Sequence, residues 1–245
     1  MRNIKIVYRY DGSDFYGFQR QPNKRTVQGE IEKALKVILR EDMNIISAGR
    51  TDRGVHALMQ VSNFPVYSTI PEDRLFKALS NLLPRDIDLI SLEEVDKEFH
   101  SRFGAVSRAY RYRMSWRKDA FRRRYISYIN KEVDPQKLEE ILQPLIGRHN
   151  FENFRLSDCI VHKPIREIWE IRCTPIEDGV EVYIRGNAFL KSQIRIIIGT
   201  ALAEYFGKVE PGHIAERLAN PEKEYSKLMA EGAGLYLCDV EYEER

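Results

Sequence analysis

The sequence predicts a mixed α+β fold built from two ferredoxin-like halves. Three observations carry that prediction. Over residues 1–92 the hydrophobic pattern alternates between periods of two and 3.6 in the order β-α-β-β-α-β. After a linker near residues 97–105 the same order of elements returns. A chain of 245 residues, 43% of them hydrophobic, also has enough apolar surface to bury cores for both halves. The halves divide as residues 1–104 and 105–245. Element order alone allows either two separate sheets or one continuous antiparallel sheet.

Residues 3–10 (NIKIVYRY) are β-branched and aromatic and read as a strand. Asp11-Gly12-Ser13 breaks it, and a polar loop runs to Arg25. Thr26 caps a helix from Val27 to about Leu39, with Val27, Ile31, Leu35, Ile38 and Leu39 on one face. Met43 to Ala48 is a short strand, Gly49 to Gly54 a charged turn, and Val55 to Phe64 another strand. Pro71, Glu72 and Asp73 form a helix first turn that Leu75, Leu79 and Leu82 continue until Pro84. Ile87 to Leu92 completes the first half.

In the second half, Arg108 to Trp116 alternates strictly and Pro135 to Ile146 is helical. Ile165 to Thr174 and Val180 to Arg185 pair as a hairpin across Glu177-Asp178-Gly179. Asn187 or Ala188 opens a long apolar helix to about Tyr205. A helical stretch from Pro211 and a strand from Leu235 to Glu241 close the chain.

Composition narrows the function classes. The longest apolar run, Ile196 to Leu202, is far short of the roughly 20 residues of a membrane span, so no membrane association is expected. No apolar signal core follows Met1, and Cys159, Cys173 and Cys238 suit reduced thiols, which together point to a cytoplasmic protein. Charge is segregated. Residues 1–100 carry 15 basic and 15 acidic side chains, residues 101–195 carry 19 and 12, and residues 196–245 carry 5 and 10. A basic middle on a nearly neutral protein suggests a face for a polyanion.

Gly49-Arg50-Thr51-Asp52-Arg53-Gly54-Val55-His56-Ala57 is the most distinctive stretch. It sets a carboxylate in a glycine-bounded turn between two strands, flanked by guanidinium groups that favour its ionised form. Such a carboxylate can act as a nucleophile or stabilise an oxocarbenium-like centre. The alternative is a surface turn held by an Asp–Arg ion pair. Metal chemistry is not indicated. The five histidines are scattered, and Cys159 with His162 lacks a second ligand pair. No phosphate-binding glycine fingerprint suggests a nucleotide cofactor.

Along Arg108–Arg113, Arg108, Tyr110 and Tyr112 share one strand face, and Ala109, Arg111 and Arg113 the other. Residues 101–125 hold nine basic side chains against the single acid Asp119, a composition suited to phosphate contacts with base stacking. The alternative is an amphipathic strand with tyrosine in the core. Arg195 lies in an apolar helix and, if buried, needs an anionic partner, for which Asp52 is a candidate. Otherwise it snorkels to solvent.

These stretches resemble the TruA family of tRNA pseudouridine synthases. Tyr10-Asp11-Gly12-Ser13 followed by Tyr16-Gly17-Phe18-Gln19-Arg20-Gln21 is similar to the family's opening YDG-x-x-(F/Y)-x-G-(W/F)-Q-x-Q segment. Gly49 to Ala57 resembles its G-R-T-D-x-G-V-H-A motif. Residues 108–113 resemble its Arg-x-Tyr-(Arg/Lys)-Tyr strand, residues 186–199 its G-(N)-A/S-F-L-x-x-(M/Q)-(V/I)-R-x-(I/M)-(V/I)-G helix, and Glu231 to Leu237 its closing E-G-L-Y-L-like segment. The resemblance implies two α/β halves sharing a largely antiparallel sheet, with helices on one face and a basic cleft between the halves. It implies an isomerase that needs no cofactor and no metal, acts on tRNA uridines on the 3′ side of the anticodon stem-loop, and forms a homodimer in which one tRNA touches both subunits. By the same resemblance Asp52 is the essential carboxylate, acting on either sugar or base. Tyr110 stacks on the flipped base and assists proton removal from C5. Arg195 pairs with Asp52 and holds the base out, while Arg50 and Arg53 contact the RNA backbone.

The chain departs from the family pattern at Lys191-Ser192-Gln193, where His or Tyr-His-Met is common, and at Phe18, Arg53 and Ile196. These positions bear on which nucleotides enter. Two other readings are a tRNA-binding chaperone without catalysis, and a glycosidase-like hydrolase using Asp11 and Asp52 as a carboxylate pair.

Overall fold

The computed structural model describes residues 1–156, 163–224 and 228–243. The chain is a mixed α+β protein with, among the described residues, five α-helices and mostly antiparallel strand pairing. It divides into two compact units, one of Met1–Val106 with Leu237–Arg245 and one of Ser107–Tyr236.

The first unit contains β1 (Arg2–Tyr10), α1 (Val27–Leu39), β2 (Ile46–Ser47), β3 (His56–Val66), α2 (Glu72–Leu82) and β4 (Ile87–Val95). This is the β-α-β-β-α-β order expected. β1 is central, antiparallel to β3 on one side and β4 on the other. Alternation along β1 buries Ile4, Ile6, Tyr8 and Tyr10. Val27, Ile31 and Leu35 from α1, and Leu75 and Leu79 from α2, are buried in the same core. Thr26 caps α1 as expected, its side chain accepting from the Gly29 amide at 3.2 Å.

The second unit contains β5 (Ala105–Ser115, its first two residues in the first unit), β6 (Ser127–Tyr128), α3 (Pro135–Leu142), β7 (Gly147–Asn150), β8 (Ile165–Ile176), β9 (Gly179–Gly186), α4 (Gln193–Tyr205) and α5 (His213–Ala219). β5, β9, β8 and β7 pair in that order, each antiparallel to the next, and β6 pairs parallel to β5. The last strand, β10 (Leu235–Tyr242), begins in this unit and joins the first from Leu237.

Three expectations are corrected, and two short strands went unread. The strand expected over Met43–Ala48 is only Ile46–Ser47. The helix expected to Ile146 ends at Leu142 and tightens into a 3₁₀ turn at Gln143–Leu145, where Pro144 supplies no amide hydrogen. The helix expected from Asn187 or Ala188 starts at Gln193, because Asn187 is tied to β8: its amide donates to the Glu167 carbonyl and its side-chain oxygen accepts from the Glu167 amide, both at 3.0 Å. β6 and β7, too short and polar to show a period, went unread. No helix among the described residues is long and apolar enough to cross a membrane.

Candidate active site

The turn carrying Asp52 is fixed from both sides. Before it, the Thr51 carbonyl accepts from the Phe18 amide at 3.0 Å, and the Thr51 hydroxyl lies 2.8 Å from that of Tyr10. After it, the Val55 amide donates to the Asp52 carbonyl at 3.2 Å, closing a tight turn that passes through Gly54 at φ +75°. Gln60, fully buried in β3, donates from its amide to the Gly49 carbonyl at 3.0 Å. Asp52 itself is half-buried, between buried Thr51 and exposed Arg53.

The opening loop is part of the same construction. The Gly12 amide donates to His56 Nδ1 at 3.1 Å, and His56 is buried. Asp11 Oδ1 accepts from the Ser13 amide at 2.9 Å and hydroxyl at 2.6 Å, an Asx turn, and stands 3.2 Å from His56 Nδ1. The sequence put Asp11 forward as half of a carboxylate pair; here one of its oxygens is occupied in shaping the loop. His56, Thr51 and Gln60 as supports of the turn were missed. His56 and Gln60, four residues apart on β3, are both buried, a placement visible only as polar residues on a strand; Thr51 lies in the turn before β3.

Arg53 is exposed, with its guanidinium carbon 4.6 Å from the ring centre of Tyr16; Lys24 Nζ lies 4.4 Å from the same centre. Arg50 is also exposed and lines a groove with Arg20 and Arg102. Asp52, Arg50 and Arg53 thus belong to the first unit, with exposed cations flanking a half-buried carboxylate on a turn whose backbone is hydrogen-bonded.

Tyr110 and Arg195 belong to the second unit. On β5, Arg108, Tyr110 and Tyr112 are all buried, on the face the alternation assigned to them, while Arg111 is exposed. Tyr110 meets the ring of Phe189 edge-on at 5.3 Å. Arg108 donates to the Asn187 carbonyl at 2.9 Å, which gives it a structural post. Tyr112 lies 2.7 Å from the Ser127 hydroxyl and 3.1 Å from the Glu231 carbonyl. Burial pushes its phenol up to about 12, against the opposing pull of the Ser127 hydrogen bond and of Arg195. Arg195 is half-buried. Its Nε donates to the Ala230 carbonyl at 2.8 Å, and its own carbonyl accepts from the Ala230 amide at 2.9 Å.

The basic run is less free than composition implied. Arg111 and Arg113 approach Glu181 at 3.9 and 3.5 Å, Arg117 pairs with Asp178 at 3.2 Å, and Arg122 approaches Glu177 at 3.8 Å. These acids come from the β8–β9 hairpin, distant in sequence. No group of three or more potential metal ligands occurs among the described residues, and Cys159 and His162 lie outside them.

A family model described as tRNA pseudouridine synthase matches residues 6–104 and 141–243. The tRNA pseudouridine synthase A of Bacillus pumilus (strain SAFR-032) is 41% identical over 244 residues, covering 98% of this chain and 99% of that protein. That of Exiguobacterium sp. (strain ATCC BAA-1283 / AT1b) is 37% identical over 243 residues, covering 99% of each. The protein of the same name from Bacillus subtilis (strain 168) is 39% identical over 244 residues, covering 98% of this chain and 99% of its own length.

Proposed function

From the premise that the chain belongs to the tRNA pseudouridine synthase family, and is therefore an isomerase of tRNA uridine, we propose that Asp52 is its essential catalytic carboxylate and that its targets lie on the 3′ side of the anticodon stem-loop. The observation that carries the role of Asp52 is the turn itself: a half-buried carboxylate on a turn whose backbone is hydrogen-bonded at Thr51 before it and closed by the Val55 amide after it. A group positioned in advance spends no binding energy on ordering itself when substrate arrives.

The reaction breaks the N1–C1′ bond of uridine, turns the base, and forms a C5–C1′ bond. A proton leaves C5 and N1 gains one, so composition is unchanged. Asp52 acts as nucleophile on sugar or base, and either route needs the ionised carboxylate. Tyr110 stacks on the extruded base and assists removal of the C5 proton. Arg195 helps hold the base out of its stack, and Arg50 and Arg53 contact the RNA backbone. Residues 1–104 supply the carboxylate, and residues 105–245 the phenol and the helix guanidinium. The resemblance further supports an enzyme that needs no cofactor, works in the cytoplasm and forms a homodimer.

The test is pseudouridine formation on an unmodified tRNA transcript by the wild-type chain and by Asp52→Asn. The variant should form none and still bind the transcript, because binding rests on the cationic surface. Equal activity in both would overturn the role of Asp52. Release of free uracil would favour the hydrolase reading.

A further inference from the structure

The groove beside Arg50 is not needed by the chemistry described above. It has a volume of about 440 Å³ and is walled by Arg20, Arg50, Arg102, His100, Phe103 and the β2 edge. That volume lies within the roughly 300–1,000 Å³ range of small-ligand sites. Three guanidinium groups border it. Arg20 is paired with Glu32, almost fully buried, which accepts from Arg20 at 2.9 Å, from Gln28 at 2.8 Å and from the Ile45 amide at 3.2 Å.

One wall is a rigid turn that presents an aromatic ring to solvent. Phe103 is 77% exposed. Its ring lies 4.5 Å from that of His100 and 5.3 Å from the Arg102 guanidinium carbon. His100 Nδ1 accepts from the Arg102 and Phe103 amides, both at 3.2 Å, so the neutral ring carries its proton on Nε2 as a donor. The Gly104 amide closes the turn onto the His100 carbonyl at 2.8 Å.

A buried polar network anchors this turn from beneath. Asn63 Oδ1 accepts from the Ser101 amide at 2.9 Å and hydroxyl at 2.5 Å, and the Tyr242 hydroxyl donates to the Ser101 carbonyl at 2.8 Å. Asn3 donates to the Asp96 and Phe99 carbonyls at 2.9 and 3.0 Å. A single exposed phenylalanine is ordinary on a protein surface. One held by this hydrogen-bonded turn, packed against an imidazole and bordered by three arginines, is a preorganised platform. Arginine with exposed aromatic rings is the chemistry that recognises an unpaired nucleotide, phosphate on the cations and base on the ring.

We propose that this groove is a second nucleotide subsite, taking one unpaired ribonucleotide of the RNA substrate next to the Asp52 turn. The proposal deepens the reading of the chain as a tRNA-modifying enzyme and rests on it. The phosphate sits among Arg20, Arg50 and Arg102, the base lies on Phe103, and His100 Nε2–H is a donor to a base or ribose oxygen.

The test is equilibrium binding of an unmodified tRNA transcript to the full-length chain. Phe103→Ala should raise Kd between about 5- and 150-fold, the loss of one stacked base. Phe103→Trp should stay within about twofold of wild type. Arg102→Gln should reduce the slope of log Kd against log salt by about 1. Wild-type affinity in Phe103→Ala, or in Phe103→Leu, would overturn the subsite. The two proposals fail separately. An active Asp52→Asn with weakened Phe103→Ala would leave the subsite standing, whereas an inactive Asp52→Asn with unaltered Phe103→Ala would remove the subsite alone.

Discussion

Gly12 and Val55 approach so closely that a Cβ built on Gly12 would lie 1.9 Å from the Val55 carbonyl oxygen and 2.6 Å from its carbon. The opening loop and the Asp52 turn are therefore packed backbone to backbone, and the Gly12 amide bond to His56 holds the same junction. Backbone cannot swing aside as a flexible side chain could. Gly12→Ala should force the two loops apart, costing about 1–3 kcal/mol by overpacking. Because the displaced segment runs through Asp52, pseudouridine formation should fall more steeply than the melting temperature. A variant with unaltered turnover would show that the turn tolerates the displacement.

Asn63 sits in the middle of β3 with its side chain inward, 4% exposed, and it makes four hydrogen bonds: to Asn3 Oδ1 at 2.9 Å, to the Phe99 carbonyl at 3.3 Å, and from Ser101 twice. Asn63→Leu fills the space but leaves the buried Ser101 amide without its acceptor, at about 1–3 kcal/mol. Urea unfolding should show that loss, and hydrogen exchange at the Ser101 amide should quicken ahead of the rest of β3. Unchanged exchange there would mean that the turn is held by other contacts.

How much of this was legible varies with the kind of information each element needs. Thr26 as a cap, the alternation of β1 and the leucine spacing of α2 are local signals, and the structure keeps them. So is the arrangement on β5 that buries Tyr110 and Tyr112 and exposes Arg111. The start of α4 was not legible, because Asn187 is claimed by Glu167 some twenty residues earlier and Ser192 turns through φ +58° before the helix begins. Gln193 then folds its own side chain back to accept from the Leu190 amide at 2.7 Å. The pairing of Arg113 with Glu181 and of Arg117 with Asp178 needs the β5–β9 register, which no local pattern contains. The Asp52 turn was visible as a motif. Its supports Tyr10, Gln60 and His56 were visible only as polar residues on strands, with nothing to say what they held.

Cys173 gives a prediction in pH. Burial, reinforced by the Glu139 carboxylate, pushes its thiol from 9.0 up to about 12. Less thiolate means slower alkylation. At pH 8 iodoacetamide should label the Cys173 peptide far more slowly in the native chain than in the urea-unfolded one, by mass spectrometry. The linkage has a definite sign. Above pH 9 the unfolded thiol loses its proton while the folded one keeps it, so the unfolded state binds fewer protons and stability falls as pH rises from 9 towards 12. Below pH 9 the contribution is complete. Cys173→Ala should flatten that alkaline decline, and an equally steep decline in the variant would assign it to other groups such as Tyr112, raised in the same sense from 10.0.

Tyr110 and Tyr112 stand two residues apart on one face of β5, and removing a single oxygen from each should have opposite consequences. The Tyr112 hydroxyl is sequestered, bonded to Ser127 and within reach of the Glu231 carbonyl. Tyr112→Phe removes those partners' contact inside the protein and should cost about 0.5–1.5 kcal/mol of stability, while leaving turnover near wild type at temperatures where the chain is folded. Tyr110 packs through its ring edge on Phe189. Tyr110→Phe keeps that edge contact and the stacking surface, so tRNA affinity should hold. It deletes the oxygen proposed to assist proton removal from C5, for which a loss of about 10²–10⁴ in turnover is the usual scale. Measuring melting, Kd and single-turnover rate on both variants separates the two. If Tyr110→Phe turns over at the wild-type rate, the phenol is a stacking surface only and the C5 proton leaves to another base.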